Sequence, residues 1–261
     1  MNPWSLAELT YHDVRSGAPF EVAVLPLGAT EPHNLHLPYA TDTLQVEAIG
    51  RLACGRASAE GARVVLLPAL PYGTETNMMR FPMAMNLDPT TVAKVVTDLV
   101  RSLEAHGIRK CLLLNGHGGN DLKWLLRELY GKTAVQIFLC HWYKTGSDRH
   151  AEIFEHADDH AGELETSMGL AHFPELVTLA RADAGSKAPS RFEAVERGWV
   201  EITRPWHLLT TNSGAGDPRK ASAEKGRALT AIVVERLAGF LRDLAASPID
   251  EAFPFRPRAI P

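Results

Sequence analysis

Hydrophobic positions along this chain follow two alternating rhythms. Short unbroken apolar runs at Val22 to Leu27, Arg63 to Pro68, Lys110 to Leu114 and Ala134 to Cys140 predict four strands of the buried kind. Between them apolar residues recur at helical spacing. Thr41-Asp42 opens one such stretch, with Leu44, Val46, Ala48, Ile49, Leu52 and Ala53 on one face and Gly55 as its stop. Pro89 to His106 is the clearest helix, carrying Val92, Val95, Val96, Leu99, Val100 and Leu103 and ending at Gly107. Further helices are predicted around Ser5 to Leu9, from Asp121 to Tyr130, from Ser147 to Ala157, from the HAGELETS stretch to just before Pro174, and from Pro218 to Ala246. Residues 183–217 read as loop with a strand-like trace at Trp199 to Ile202, and the proline-rich tail from Phe253 is irregular. Strand and helix alternate through most of the chain. That pattern predicts an α/β fold in one domain spanning 1–261, a mostly parallel sheet flanked by helices on both faces.

Composition changes this picture little. At 261 residues, with 45% hydrophobic and 22% charged positions, the chain is an ordinary globular one with a substantial core. A net charge of -4 without a Lys/Arg cluster argues against nucleic acid as a partner. No apolar run approaches the roughly 20 residues of a membrane span, and the N-terminus lacks a basic-then-apolar signal. Cys54, Cys111 and Cys140 are not closely spaced, so buried thiols in a reducing cytoplasm are the plain reading.

The candidate chemistry lies in three segments that follow strands or open helices. Leu25 to Thr43 places Glu31, His33, His36 and Asp42 within a dozen residues, on a loop stiffened by Pro32 and Pro38. Carboxylates and imidazoles together suit zinc, manganese or iron(II). NGHGGN at 115–120 puts His117 among glycines that let a ligand approach closely, and it matches neither common phosphate-loop pattern. The third segment offers Asp159, His160, Glu163 and Glu165, where a histidine beside metal-bound water could exchange a proton near neutral pH. In an α/β fold all three can meet at the C-terminal edge of the sheet. His36 either braces its loop or touches metal, and Asn115 and Asn120 either orient water or substrate or simply suit a tight turn. The long turn-rich segment from Pro71 to Pro89, with Tyr72, reads as a functional loop or a contact with a neighbour. Trp4, Trp124, Trp199 and Trp206 read as core or interface residues.

TExHxxHLPxxTD, NGHGGN and HAGExETS, in that order across residues 22–170, resemble the creatininase family of creatinine amidohydrolase-like metal hydrolases. The resemblance implies one or two divalent ions per chain, a small-molecule substrate and a homo-oligomer, often a hexamer. By position, Glu31 and His117 resemble ligands of one metal, His33 a ligand of the other, and Asp42 the carboxylate bridging both. His160 resembles the proton donor, with Asp159 before it and Glu165 as its supporting carboxylate, and Trp142 stands where family members place aromatics over the substrate. Two departures stand out. Creatininases proper carry a glutamate ligand where this chain has Gly119, and Glu163 is expected to fill that place. The commoner Gly-Pro is replaced by Asn34-Leu35, which adds a polar group near the metal and points away from creatinine itself. The expectation is therefore a metal-dependent hydrolase cleaving a C–N bond in a small cyclic or linear amide, with Asn34, Asn120, Trp142 and Tyr72 against the substrate. The alternatives are C–C or ring-opening hydrolysis of a keto-sugar or inositol derivative, and a non-catalytic metal-binding protein.

Overall fold

The apolar runs form the centre of the molecule. In the computed structural model, residues 2–156 and 159–256 are described. The strands are β1 (Val22–Leu27), β2 (Val64–Leu66), β3 (Lys110–Asn115) and β4 (Gln136–His141). They lie parallel in the order β2–β1–β3–β4. Every residue of β1 and β3 is buried, as sandwiching between two helical layers requires. The helices are α1 (Tyr11–Ser16), α2 (Thr41–Ala59), α3 (Pro89–Ala105), α4 (Lys123–Leu129), α5 (His150–Ile153), α6 (Glu163–His172), α7 (Glu193–Glu196), α8 (Trp206–Leu209) and α9 (Ala223–Ala246).

Side chains of a strand alternate between its faces. Val22 and Val24 therefore join Val46, Ile49, Leu164, Met168, Leu229 and Val233 of α2, α6 and α9 on one side. Ala23, Leu25 and Leu27 join Val92, Val96, Val100 and Leu125 of α3 and α4 on the other. Both faces of the sheet are covered, as the alternation of elements predicts.

Several boundaries differ from the sequence reading, each for a local reason. α2 runs through Gly55 to Ala59 because the glycine lies against the Trp4 indole, where a Cβ would come within 3.2 Å of the ring. The expected helix from 147 breaks into a 3₁₀ turn and α5, and its last residue, Ala157, lies outside the described residues. The C-terminal helix starts at Ala223, where the Ser222 hydroxyl accepts from the Lys225 N–H and caps it. No strand forms over 199–202, a loop whose Glu201 and Ile202 line a cleft. Of the irregular tail, 257–261 lies outside the described residues.

The two central strands set up the site. Leu27 and Asn115 are register partners at the ends of β1 and β3, and the Gly116 N–H donates to the Leu27 carbonyl. The loop carrying Glu31 and the turn carrying His117 thus leave the sheet side by side. The 71–89 segment is tied over this edge by a bridge from Thr30 to Met85 and closed on itself by one from Gly73 to Asn86.

Candidate metal centre

Asp42 occupies the middle of the site, in the first turn of α2. Its two oxygens face different imidazoles: Oδ1 lies 3.2 Å from His33 Nε2, and Oδ2 lies 3.1 Å from His117 Nδ1. Glu31 Oε1 stands 3.0 Å from the same His117 Nδ1. Glu31, Asp42 and His117 form one group of donors within 4.8 Å of one another, and His33, Asp42 and Glu165 form a second. His160 joins Glu31 and His33 in a third such group, its Nδ1 3.7 Å from Glu31 Oε1. The expected convergence of three distant segments is thus what the fold produces.

Backbone geometry aims these side chains. The Glu31 carbonyl faces His33 Nδ1 at 3.1 Å, which leaves Nε2 turned toward Asp42. Ala161 adopts φ +52, a left-handed turn uncommon for alanine, and its N–H donates to Glu165 Oε2 at 2.5 Å. This turn directs the His160 ring inward, where Nε2 donates to the Pro32 carbonyl at 2.9 Å. Because a carbonyl only accepts, Nδ1 keeps its lone pair and faces the donor cluster.

The electrostatics follow from packing acids and imidazoles without water. Burial raises the Glu31 carboxyl well above its usual range; His117 works against that, and Glu75 and Asp42 add to it. Asp42 is held below its usual range, because the attraction of His33 and His117 outweighs burial. Burial disfavours the His33 cation, yet Asp42, Glu165 and Glu31 together push its pKa up to about 10. His117 is likewise raised against burial by Glu31, Asp42 and Glu75. His160 goes the other way: burial and the neighbouring His33 charge push it down to about 3.

The residues present fit a divalent cation. Asp42 Oδ2 and both oxygens of Glu75 are buried with no aligned hydrogen-bond donor, an arrangement that is unfavourable for anions unless a cation compensates them. The mixed oxygen and nitrogen donors suit zinc, manganese or iron(II).

Other candidates fall elsewhere. Glu163 is turned away from the cluster: its carboxylate accepts from the Glu155 and His156 N–H groups, both at 2.9 Å, and pairs with Lys225. Glu165, one helical step on, brings its carboxylate to His33 at 3.8 Å and to His160 only at 4.0 Å. Its carboxylate thus lies within 4.0 Å of both imidazoles and shares a donor group with His33 and Asp42. Asp159 does not back His160 either; Arg204 and Lys187 bind its carboxylate.

Asn34, at φ +54, gives its side chain to Asp183 and pins that loop, 2.9 Å from Oδ1, rather than facing substrate. Asn120 is a brace, donating to Gly28 O and Asn115 Oδ1 and accepting from Thr74 N. His36 braces as well, 2.7 Å from Thr166 Oγ1. Trp142 is 1% exposed in the core under α2 and α9, because a 3₁₀ turn after β4 swings it inward. Tyr72 is exposed and off the cleft.

A cleft of about 680 Å³ opens over the cluster, lined by Glu31, Asp42, His117, His160, Arg204 and Trp206 among others. Trp206 supplies the aromatic wall that Trp142 does not, its ring 5.0 Å from that of His160 and under the Arg204 guanidinium at 4.9 Å. Sequence reasoning also missed Glu75. It is 1% exposed, with Oε1 2.7 Å from His117 Nε2. The only hint was its place in a long loop whose length suggested function.

A parallel α/β sheet with a buried carboxylate–imidazole centre at its C-terminal edge defines a class of metal-binding proteins with a hydrolase-type site. The family described as creatinine amidohydrolase matches residues 7–241, and the chain belongs to this creatininase family of hydrolases. It is 31% identical over 222 residues to the mycofactocin precursor peptide peptidase of Mycobacterium ulcerans, covering 81% of each chain. It is 29% identical over 260 residues to the creatinine amidohydrolase of Pseudomonas putida, covering 91% of this chain and 96% of that one. A solved structure assigned as a creatinine amidohydrolase from Bacteroides fragilis superposes with a TM-score of 0.89 at 35% identity, over 96% of this chain and 100% of the other. Zinc and manganese forms of creatininase superpose with TM-scores of 0.75 and 0.73, both at 26% identity, over 93% and 94% of this chain and 98% and 99% of theirs.

Proposed function

We propose that this chain is a metal-dependent amidohydrolase that cleaves a C–N bond in a small amide, cyclic or linear. The observation that carries the reading is the Asp42 carboxylate set between two groups of donors, each supplying imidazole and carboxylate atoms within 4.8 Å. Glu31, Asp42 and His117 would hold one ion, and His33, Asp42 and Glu165 a second. A divalent cation bound there lowers the pKa of water to about 7 and polarises the amide carbonyl. The zinc and manganese forms of the structural neighbours support either metal.

The remaining roles belong to the chain's own groups. His160, neutral and with its Nδ1 lone pair inward, takes a proton at that atom and returns it to the departing nitrogen. The Pro32 carbonyl fixes the ring's tautomer through Nε2. Trp206 walls the cleft beside it and excludes water from that face. The cleft volume falls in the range of about 300–1,000 Å³ usual for small-ligand sites. The peptidase relatives make a peptide amide as reasonable a target as a lactam.

The reading is tested with zinc- or manganese-loaded protein offered creatinine, lactams, formamides, short peptides and keto-sugars, with products identified by mass. Amine release from an amide is expected. Turnover confined to keto-sugars would replace the amide reading with carbon–carbon or ring-opening chemistry. Asp42→Ala is expected to lose bound metal, measured by elemental analysis of the purified protein.

We also read the chain as one catalytic domain, working in the cytoplasm as a homo-oligomer, with the hexamer as the assembly expected from resemblance. Exposed apolar residues at Met79, Met83, Phe192, Trp199 and Leu208, in the 71–89 and 183–217 segments, support an association surface. Light scattering on the eluted protein measures the assembly.

A further inference from the structure

Among the described residues, Glu75 is the one buried carboxylate at the centre that stands outside all three donor groups. It comes from the loop between β2 and α3. Its N–H donates to Asn86 Oδ1 at 2.7 Å, and the preceding Thr74 N–H donates to Asn120 Oδ1 at 3.1 Å, so two asparagines hold its backbone. Its Oε1 stands 2.7 Å from His117 Nε2, on the side of the ring opposite Glu31 and Asp42. The Thr74 carbonyl accepts from the same nitrogen at 3.2 Å. The Nε2–H is aligned with that carbonyl, and neither oxygen of Glu75, close as it stands, has an aligned hydrogen-bond donor.

Gly119 makes this contact possible. A Cβ there would lie 2.3 Å from His117 Nε2 and 2.4 Å from the Thr74 carbonyl, so any side chain at 119 would displace the ring or the 73–75 backbone. A glutamate at 119 and Glu75 in its present place exclude each other. Charge absent from the turn has arrived from the opposite loop, on the outer side of the histidine.

We infer that Glu75 is a positioning residue for the metal centre, its carboxylate beside Nε2 holding the His117 ring by charge so that Nδ1 faces the cation between Glu31 and Asp42. This role rests on the metal-centre reading above and deepens it. A carboxylate behind a ligating imidazole fixes the ring's tautomer and orientation and makes the coordinating nitrogen more basic, and its loss typically weakens metal binding by about 10–100-fold. The Thr74 carbonyl takes the aligned hydrogen bond but is neutral, and the charge behind the ring comes from Glu75.

The test compares zinc affinity, by competition with a chromophoric chelator, among wild type, Glu75→Gln and Asp42→Ala. Glu75→Gln keeps the shape of the side chain and removes its charge, and it is expected to bind zinc roughly 10–100-fold more weakly. The zinc-loaded wild type is expected to show a strongly deshielded His117 ring N–H by NMR that moves upfield in the variant, a change that loose packing would not produce. Glu75→Asp retracts the charge by one methylene and is expected to fall between wild type and the glutamine variant; it also serves if Glu75→Gln does not fold. Zinc affinity within twofold of wild type in Glu75→Gln, or an aspartate variant weaker than the glutamine one, would overturn the role of Glu75. If Asp42→Ala loses zinc while Glu75→Gln does not, the metal centre stands and only this inference fails. Zinc retained in Asp42→Ala would overturn both.

Discussion

His33 and His160 have ring centroids 4.2 Å apart, yet with no cation at the centre their surroundings shift their pKa values in opposite directions. His33 touches the carboxylate of Asp42, whereas His160 has a backbone carbonyl and the His33 charge as neighbours. A neutral imidazole with a free Nδ1 suits proton transfer, and the proposed metal groups around Asp42 do not include His160. His160→Ala should lower turnover by roughly 100-fold or more while leaving zinc per chain unchanged by elemental analysis. Loss of zinc would make His160 a ligand. His36 shows a related effect on stability. Burial and the His33 charge push its pKa from 6.5 down to about 4. Between those values the unfolded chain takes up a proton that the folded chain refuses, so stability falls as pH drops from about 6.5 toward 4. At about 1.4 kcal/mol per pH unit the loss amounts to about 3 kcal/mol. Urea unfolding of His36→Gln should show a shallower fall over that range than wild type, and an identical slope would remove His36 as the cause.

At the scale of elements, α6 shows how a one-face rule sorts neighbouring acids. Glu163 and Glu165 both lie in its first turn, two residues apart and about 200° around the axis. One faces the cluster and the other faces α9, where it meets Lys225. The spacing was legible in the sequence, but the rotation of the helix was not, because α6 is buried on much of its surface and shows no single apolar stripe. Glu163 thus ties α6 to α9. Lys225→Met would strand a fully buried carboxylate with two backbone donors among the described residues. A fully buried pair broken this way costs about 3–5 kcal/mol, and the partly exposed lysine places this one toward the lower end. Denaturant titration measures the loss, and metal content should be unchanged, which separates a structural Glu163 from a ligand. Trp142 and Trp206 tell the same story. Trp142 opens the 3₁₀ turn directly after β4 and Trp206 opens α8 after a longer irregular stretch, and the path of the backbone there decides where each indole goes.

For the whole molecule, the site ties together segments that chain connectivity leaves far apart. An ion bound by Glu31, Asp42 and His117 joins the loop after β1, the start of α2 and the turn after β3, none of which would hold it in the unfolded chain. Metal present at about 1,000 times its dissociation constant would add about 4 kcal/mol. Chelation should then lower the melting temperature by on the order of 10 °C, since about 1 kcal/mol moves a domain of this size by about 2–4 °C. Zinc or manganese should restore it, and a melting temperature indifferent to chelator would deny that the ion bridges these elements. The sequence by itself determined the strands and the parallel α/β class, and it picked out Glu31, His33, Asp42 and His117 as candidate donors, because unbroken apolar runs and closely spaced carboxylates and imidazoles are local signals. Only the tertiary structure decided that Glu165 and not Glu163 joins Asp42, that Asn34 and Asn120 brace loops, and that Trp206 and Glu75 reach the centre. Those outcomes depend on how helices rotate and which loops cross the sheet edge, and such choices are made by long-range packing that no short window of residues contains.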